Sequence, residues 1–335
     1  MWKSIKERKT MSEALIVGDI HLAGRNPPNR IDDVVTDLQF EKVEEIVDIA
    51  NQMDVPIICT GDSFHTPTVS NKLLSRLGRI INQLKREFYF VFGNHDLQYH
   101  SMEKIDNTSI GVVLSNNCKI RHISEFHKYY GSQNRWAYID YGAAFTHNYL
   151  DAEFAKSNFM LSHKAIVNDS LVNTESWIAD DINFCQAAAD FEGMFKLIVC
   201  GHWHKPYIYK HKQTLVINPG PVIRRQITER EIPRVILIDL VTIKYEEFFL
   251  ANAKPSDEVL REGTIKEELK PIEDRILSFI NSIKAKKQIK HGMKFGDSLR
   301  ELLKSDAVDP EIKAEINDIM ATISEKEGDN LNVDG

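Results

Sequence analysis

The chain has no apolar run that reaches the roughly 18 consecutive residues needed to cross a bilayer, which excludes a helical membrane span on sequence grounds. It has only four cysteines, Cys59, Cys118, Cys185 and Cys200, with no Cys-x-x-Cys pair among them. A disulfide framework or a thiolate metal site is therefore not expected, and reduced thiols in a cytoplasmic protein are. A surplus of positive charge is also missing: 42 Lys and Arg stand against 49 Asp and Glu, a net charge of −7. That balance argues against a protein that grips nucleic acid through bulk electrostatics alone. It leaves room for bound cations to reverse the sign locally, or for a partner subunit to supply the affinity. Residues 1–10 are basic but lack the apolar core of a secretion signal, and are expected to be a non-targeting extension.

What the chain does have is a repeated local pattern. Short apolar runs rich in β-formers, at residues 14–17, 55–59, 88–92, 159–161 and 195–200, each lead into a polar motif. The motifs are Gly18-Asp19-Ile20-His21, Gly61-Asp62-Ser63-Phe64-His65, Gly93-Asn94-His95-Asp96, Ser162-His163 and Gly201-His202-Trp203-His204. The runs read as buried strands. Side chains at strand C-termini project into one crevice, so ligands scattered along the sequence can converge. Glycine before Asp19, Asp62, Asn94 and His202 is expected to let the chain turn sharply there.

Carboxylates, imidazoles and one amide in this pattern suit a pair of divalent metals. Two ions about 3.5–4 Å apart call for a bridging carboxylate, with neutral imidazoles completing the shells. Asp62 is the expected bridge, with Asp19, His21 and His204 filling one site and Asn94, His163 and His202 the other. His147, in Phe145-Thr146-His147-Asn148, competes with His163 for its position. Such mixed donors favour manganese, iron or zinc over calcium, which prefers oxygen alone.

The five motifs, spread over residues 15–222, resemble those of the calcineurin-like metallophosphoesterase superfamily. The segment Gly61-Asp62-Ser63-Phe64-His65 is similar to the Gly-Asp-x-Phe-His motif of the SbcD-type nucleases, the nuclease subunits of double-strand-break repair complexes. The superfamily's protein phosphatases carry Gly-Asp-x-Val-Asp-Arg-Gly there, and that Asp-Arg pair is absent. Asn218-Pro219-Gly220-Pro221 resembles the family's Asn/Tyr-Pro-Gly-Ser stretch, with Pro221 in place of Ser. The resemblance implies a manganese-dependent DNA exo- and endonuclease with an SbcC-like ATPase partner and a homodimeric form, and the compact chain resembles phage-encoded versions as much as cellular ones. It also implies that His95 protonates the leaving alkoxide or orients the phosphate and that His65 contacts the phosphate or leaving group. Asp96 is expected to hold the His95 ring.

The resemblance implies an αββα sandwich, two mixed sheets flanked by helices, with a small C-terminal helical appendage. Helical stripes at residues 37–53 and 70–85 read as crossover helices, and residues 173–191 as a further one. Residues 24–29, with Pro27 and Pro28, read as a loop beside Asp19. The expected organisation is an extension at 1–12, the catalytic domain at 13–252, a helical and partner-docking segment at 253–324, and a disordered tail at 325–335. Arg224, Arg225 and Arg230, Lys72, Arg76 and Arg79, and the basic group from Lys284 to His291 read first as solvated faces and second as phosphate contacts. A phosphatase or cyclic-nucleotide phosphodiesterase of the same superfamily, and a non-catalytic metal-bound scaffold, are the alternative functions.

Overall fold

The computed structural model describes residues 12–32, 37–98, 101–117, 119–130, 135–141, 157–167 and 185–261. By its internal contacts the chain divides into units 1–262 and 263–335, and the second lies outside the described residues, as do the expected C-terminal helices and tail.

Two mixed sheets form the first unit. In the first, β1 (Glu13–Val17), β2 (Ile57–Cys59), β3 (Phe88–Phe90) and β4 (Ile120–His122) run parallel. Next to β1, β12 (Arg234–Asp239) and β13 (Tyr245–Phe249) complete the sheet antiparallel, in the order β13-β12-β1-β2-β3-β4. The second sheet has the order β10-β11-β9-β6-β5, where β5 is Trp136–Ile139, β6 Phe159–Ser162, β9 Leu197–Cys200, β10 Tyr207–His211 and β11 Thr214–Asn218. A separate ribbon joins β7 (Ala165–Val167) to β8 (Cys185–Ala187).

The side-chain period of two builds three layers of core. Leu15, Val17, Ile57, Cys59, Phe88 and Phe90 point outward to α1 (Gln39–Met53) and α2 (Asn71–Ile81). Their alternates, Ala14, Ile16, Ile58 and Tyr89, meet Phe159, Leu161, Leu197 and Val199 between the sheets. On the far face of the second sheet, Met160, Ile198 and Cys200 pack against Ile166, Phe191 and Phe195. Each fully buried aliphatic side chain contributes about 1.5–3 kcal/mol, so a one-residue register slip would expose a whole row.

The helices follow their sequence patterns. In α2, Leu73, Leu77, Ile80 and Ile81 form the buried stripe, and the Ser70 hydroxyl accepts from the Leu73 amide to cap the first turn. Helix α1 buries Phe40, Val43, Ile46, Val47 and Ala50 and stops at Asp54, which takes a left-handed conformation. Both begin and end within a few residues of expectation. Residues 173–191 differ: Cys185–Ala187 is a strand and Ala188–Phe191 a 3-10 turn, and the rest lie outside the described residues. Helical spacing there competes with a three-residue pairing onto β7 that a periodicity argument does not see.

Past residue 252 the described chain stays bonded to the rest of the first unit. The Ile31 amide donates to the Val259 carbonyl, that of Arg261 donates to Asn29, and Val259 and Leu260 are buried. The 24–29 loop is thereby tied to residues 259–261. Cys59 and Cys200 are buried free thiols, whereas Cys118 lies outside the described residues.

Candidate metal centre

Parallel strand ends from both sheets deliver the polar motifs to one place. Asp19 follows β1, Asp62 follows β2, Asn94 follows β3, His163 follows β6 and His202 follows β9. Main-chain bonds lock these exits together: the Thr60 amide donates to Val17, Gly201 to Ser162, and both Ile20 and His21 to Asp62.

Glycine acts here more through space than through turning. A Cβ on Gly93 would lie 2.0 Å from Asp62 Oδ1, and one on Gly201 would lie 2.4 Å from Asp19 Oδ1. Among the four glycines that precede the motifs, Gly61 alone has a positive φ, +111°. The strain falls instead on the functional positions: His21, Asp62 and His202 have φ of 54°, 46° and 71°. Non-glycine residues in that region cost of order 1 kcal/mol or more each, and such strain gathers at functional sites.

Asp19, His21, Asp62 and His163 are almost fully buried, while His65, Asn94, His95, His202 and His204 are half-buried at the mouth. Asp62 Oδ2 lies between the two expected groups, 3.6 Å from His21 Nε2 and 3.3 Å from His163 Nε2. On one side His21 Nε2 and His204 Nε2 are 2.9 Å apart, and His204 Nε2 is 3.5 Å from Asp19 Oδ2. On the other, His163 Nε2 is 3.2 Å from Asn94 Oδ1, and the His202 ring packs 5.1 Å from the His163 ring. Asp19, His21 and His204 form one group with metal-ligand spacing, and Asp19, Asp62 and His163 another. All seven expected metal-ligating residues are thus brought together, and His147 lies outside the described residues.

The surroundings hold these atoms in place. Asp19 accepts from the Thr60 hydroxyl at 2.6 Å and from the His202 amide at 2.9 Å, and Asp62 accepts from the His95 amide at 2.9 Å. His163 Nδ1 donates to the Thr60 carbonyl at 2.7 Å, which leaves Nε2 facing Asp62.

Electrostatics tests whether cations fit. Burial works against the charge on Asp19 and Asp62, yet His163 and the other imidazoles hold both carboxyls below the usual range. Among the described residues no Lys or Arg pairs with either carboxylate. Burial opposes the protonation of His163, but Asp62 and Asp19 raise its pKa to about 9. His204 rises to about 10 against the same burial because of Glu229 and Asp19. Protons on these rings thus answer a demand for positive charge. His202 and His21 are driven down by burial, His202 to about 3, and His21 Nδ1 is buried without a hydrogen-bond partner. Buried carboxylates, neutral imidazoles and an amide oxygen fit divalent metals of the manganese, iron or zinc kind.

His65 and His95 stand beside this cluster, their rings stacked at 4.8 Å and inclined by 24°. His95 Nδ1 donates to the His65 carbonyl at 2.7 Å. That contact replaces the expected one with Asp96, whose carboxylate turns back to the amides of Gly93, at 3.1 Å, and Phe64, at 3.3 Å. Residues 94–96 form a 3-10 turn with three residues per turn, so neighbouring side chains diverge by about 120°. Burial and then Asp62 raise the pKa of Asp96 to about 7.

One residue escaped the sequence reading. Glu229 is buried and accepts from His204 Nδ1 at 2.5 Å, while its other oxygen accepts from the amides of Arg225 and Gln226. A carboxylate behind a metal-ligating imidazole fixes its tautomer and raises its basicity. The available signal was one acid within the basic run Arg224-Arg225-Gln226-Ile227-Thr228-Glu229-Arg230.

Two sheets that aim carboxylates and imidazoles into one buried crevice define a metal-dependent phosphoesterase. The chain belongs to the calcineurin-like phosphoesterase superfamily, whose domain model matches residues 13–242. A solved structure of an archaeal phosphodiesterase aligns with 16% identity over 71% of this chain and 99% of that one, with a TM-score of 0.36. A second solved structure aligns with 11% identity over 72% of this chain and 99% of that one, with a TM-score of 0.44. No curated protein matches the chain in sequence. Among the described residues, no helix is long and apolar enough to cross a membrane.

Proposed function

We propose that this phosphoesterase is an SbcD-like, manganese-dependent DNA exo- and endonuclease that acts in repair or recombination with an SbcC-like ATPase. The observation that carries the reading is the His65–His95 pair. The His65-Thr66 step, where the superfamily's protein phosphatases have Asp-Arg, stacks an imidazole on His95, and the His65 carbonyl accepts from its Nδ1.

Asp19, His21, Asp62, Asn94, His163, His202 and His204 would hold two divalent ions, which supply an activated water and offset charge on the phosphate. The chain's own groups do the rest. A carbonyl only accepts, so Nδ1 of His95 carries a hydrogen and Nε2 is the nitrogen that exchanges a proton. His95 gives that proton to the departing alkoxide. His65, kept neutral because burial and then Arg225 push its pKa to about 2, buttresses the His95 ring without competing for the proton. Asp96 orders the turn that carries both Asn94 and His95 rather than acting on the proton itself. DNA, the ATPase and a homodimeric state belong to this proposal, as does cytoplasmic location.

The test is hydrolysis of end-labelled single- and double-stranded DNA by the purified chain with manganese, beside Asp62→Ala. Degradation by the native chain that disappears in the variant is the expected result. Intact DNA together with rapid turnover of bis(p-nitrophenyl) phosphate would overturn the nuclease reading in favour of a small-molecule phosphodiesterase.

A further inference from the structure

The basic run after the Asn218-Pro219-Gly220 turn sends its three arginines to different ends. Arg224 is buried and structural: its Nη1 and Nη2 donate to the carbonyls of Glu231 and Lys254, at 3.5 and 2.5 Å, and its Nε is buried without a partner. Arg230 is exposed and donates to the Arg261 carbonyl at 3.0 Å. Arg225 differs from both. Its amide is bonded to the same Glu229 carboxylate that grips His204, so its main chain is pinned to the metal-side imidazole through one shared group. Its guanidinium is the strongest charged neighbour of His65, and its Nη1 is buried with no hydrogen-bond partner.

The surroundings do not neutralise it. The charged neighbours of Arg225 are Glu229 and Arg30. Glu229 already serves three donors, and Arg30 is held by a two-pronged pair with Asp32, at 2.7 Å for each bond. Arg224 and Lys42 stand beside Arg30 and add further positive charge, enough with burial to bring the Lys42 pKa down to about 7. Five basic side chains, Arg30, Lys42, Arg224, Arg225 and Arg230, therefore gather around three carboxylates, Asp32, Glu45 and Glu229, among the described residues. A half-buried guanidinium whose Nη1 is buried and unused is costly unless something anionic reaches it, and its planar fork suits a phosphate.

We infer that Arg225, backed by the His65 ring, forms a second phosphate subsite beside the metal cluster, which receives the phosphate adjacent to the scissile one in a polynucleotide. The inference rests on the nuclease reading for the identity of its ligand. A small diester has a single phosphate and leaves this subsite empty, whereas a nucleic acid strand carries a phosphate at every step. The subsite thus selects substrates with linked phosphates, and it does so locally in a chain of net negative charge.

The test is calorimetric binding of thymidine 3′,5′-bisphosphate, against the 3′- and 5′-monophosphates, to the manganese-loaded full chain. A charge-assisted contact predicts a preference for the bisphosphate of about ten- to a hundredfold. Arg225→Gln should bring the ratio close to one, and Arg225→Lys should keep part of it. Each ratio is measured within a single protein, so a general loss of binding cancels. Equal affinities in the native chain, or a preference that survives in Arg225→Gln, would overturn the inference. DNA hydrolysis followed in parallel separates the two readings. A bisphosphate preference that depends on Arg225 in a chain that leaves DNA intact would keep the subsite and remove the nuclease, and DNA degradation without that preference would do the reverse.

Discussion

Replacing Glu229 by Gln should weaken metal binding by an amount that grows with pH. In the native chain the two carboxylate oxygens serve three donors: the His204 ring at 2.5 Å and the amides of Arg225 and Gln226. Gln fills the same space but has one acceptor oxygen, so either the ring or the two amides must face an NH2 group. Losing a carboxylate behind a ligating imidazole typically lowers metal affinity by 10- to 100-fold, or about 1.4–2.7 kcal/mol. An opposing effect acts at neutral pH. Glu229 also helps raise the pKa of His204 to about 10, and the proton held there competes with the metal. Its removal relieves that competition, so the loss should be smallest near pH 7, larger at pH 8.5, and approach the full 10- to 100-fold only above about pH 10. Manganese titrations by calorimetry at pH 7 and 8.5 provide the comparison. In thermal melts at saturating metal, the full loss would reduce the metal-induced rise in Tm by about 3–10 °C for a domain of this size. Dissociation constants within twofold of the native chain at both pH values would refute the role of Glu229.

Two further outcomes follow from the same geometry. His163 and His204, with pKa values of about 9 and 10, both hold protons at pH 7 in the metal-free chain, so metal uptake should release about two protons and affinity should rise with pH up to about 10. Calorimetry in two buffers of different ionisation enthalpy reads this directly, and heats that do not depend on the buffer would contradict it. His95→Ala should lower turnover by about 10²–10⁴ while metal binding persists, because Asp62 accepts from the main-chain amide of residue 95 and not from its ring. Unchanged hydrolysis would remove His95 from the proton transfer.

What the sequence made legible is what local chemistry encodes, and what it concealed depends on how distant loops close. Asp19, Asp62 and Asn94 could be placed because each sits two or three residues past an apolar run, and three adjacent parallel strands must end on the same side of their sheet. The stripes at Leu73, Leu77, Ile80 and Ile81 gave α2 for an equally local reason. Glu229 had no such address. It reaches His204 only because the chain doubles back after Gly220 and ties its own carboxylate to the amides of Arg225 and Gln226, a loop no periodicity describes. Asp96 failed in the opposite way. Proximity in sequence suggested that it held His95, but a 3-10 turn sets neighbours apart, and the ring found a carbonyl thirty residues away. The glycines were read for their freedom to turn, whereas Gly93 and Gly201 are there because a methyl group would occupy the place of a carboxylate oxygen. In each case the residue type was visible and its partner was not. Glu229 and Arg225 are the sharpest instance: a run that reads as a solvated basic face becomes, once folded, one carboxylate pinning an imidazole and one guanidinium whose Nη1 is buried without a partner.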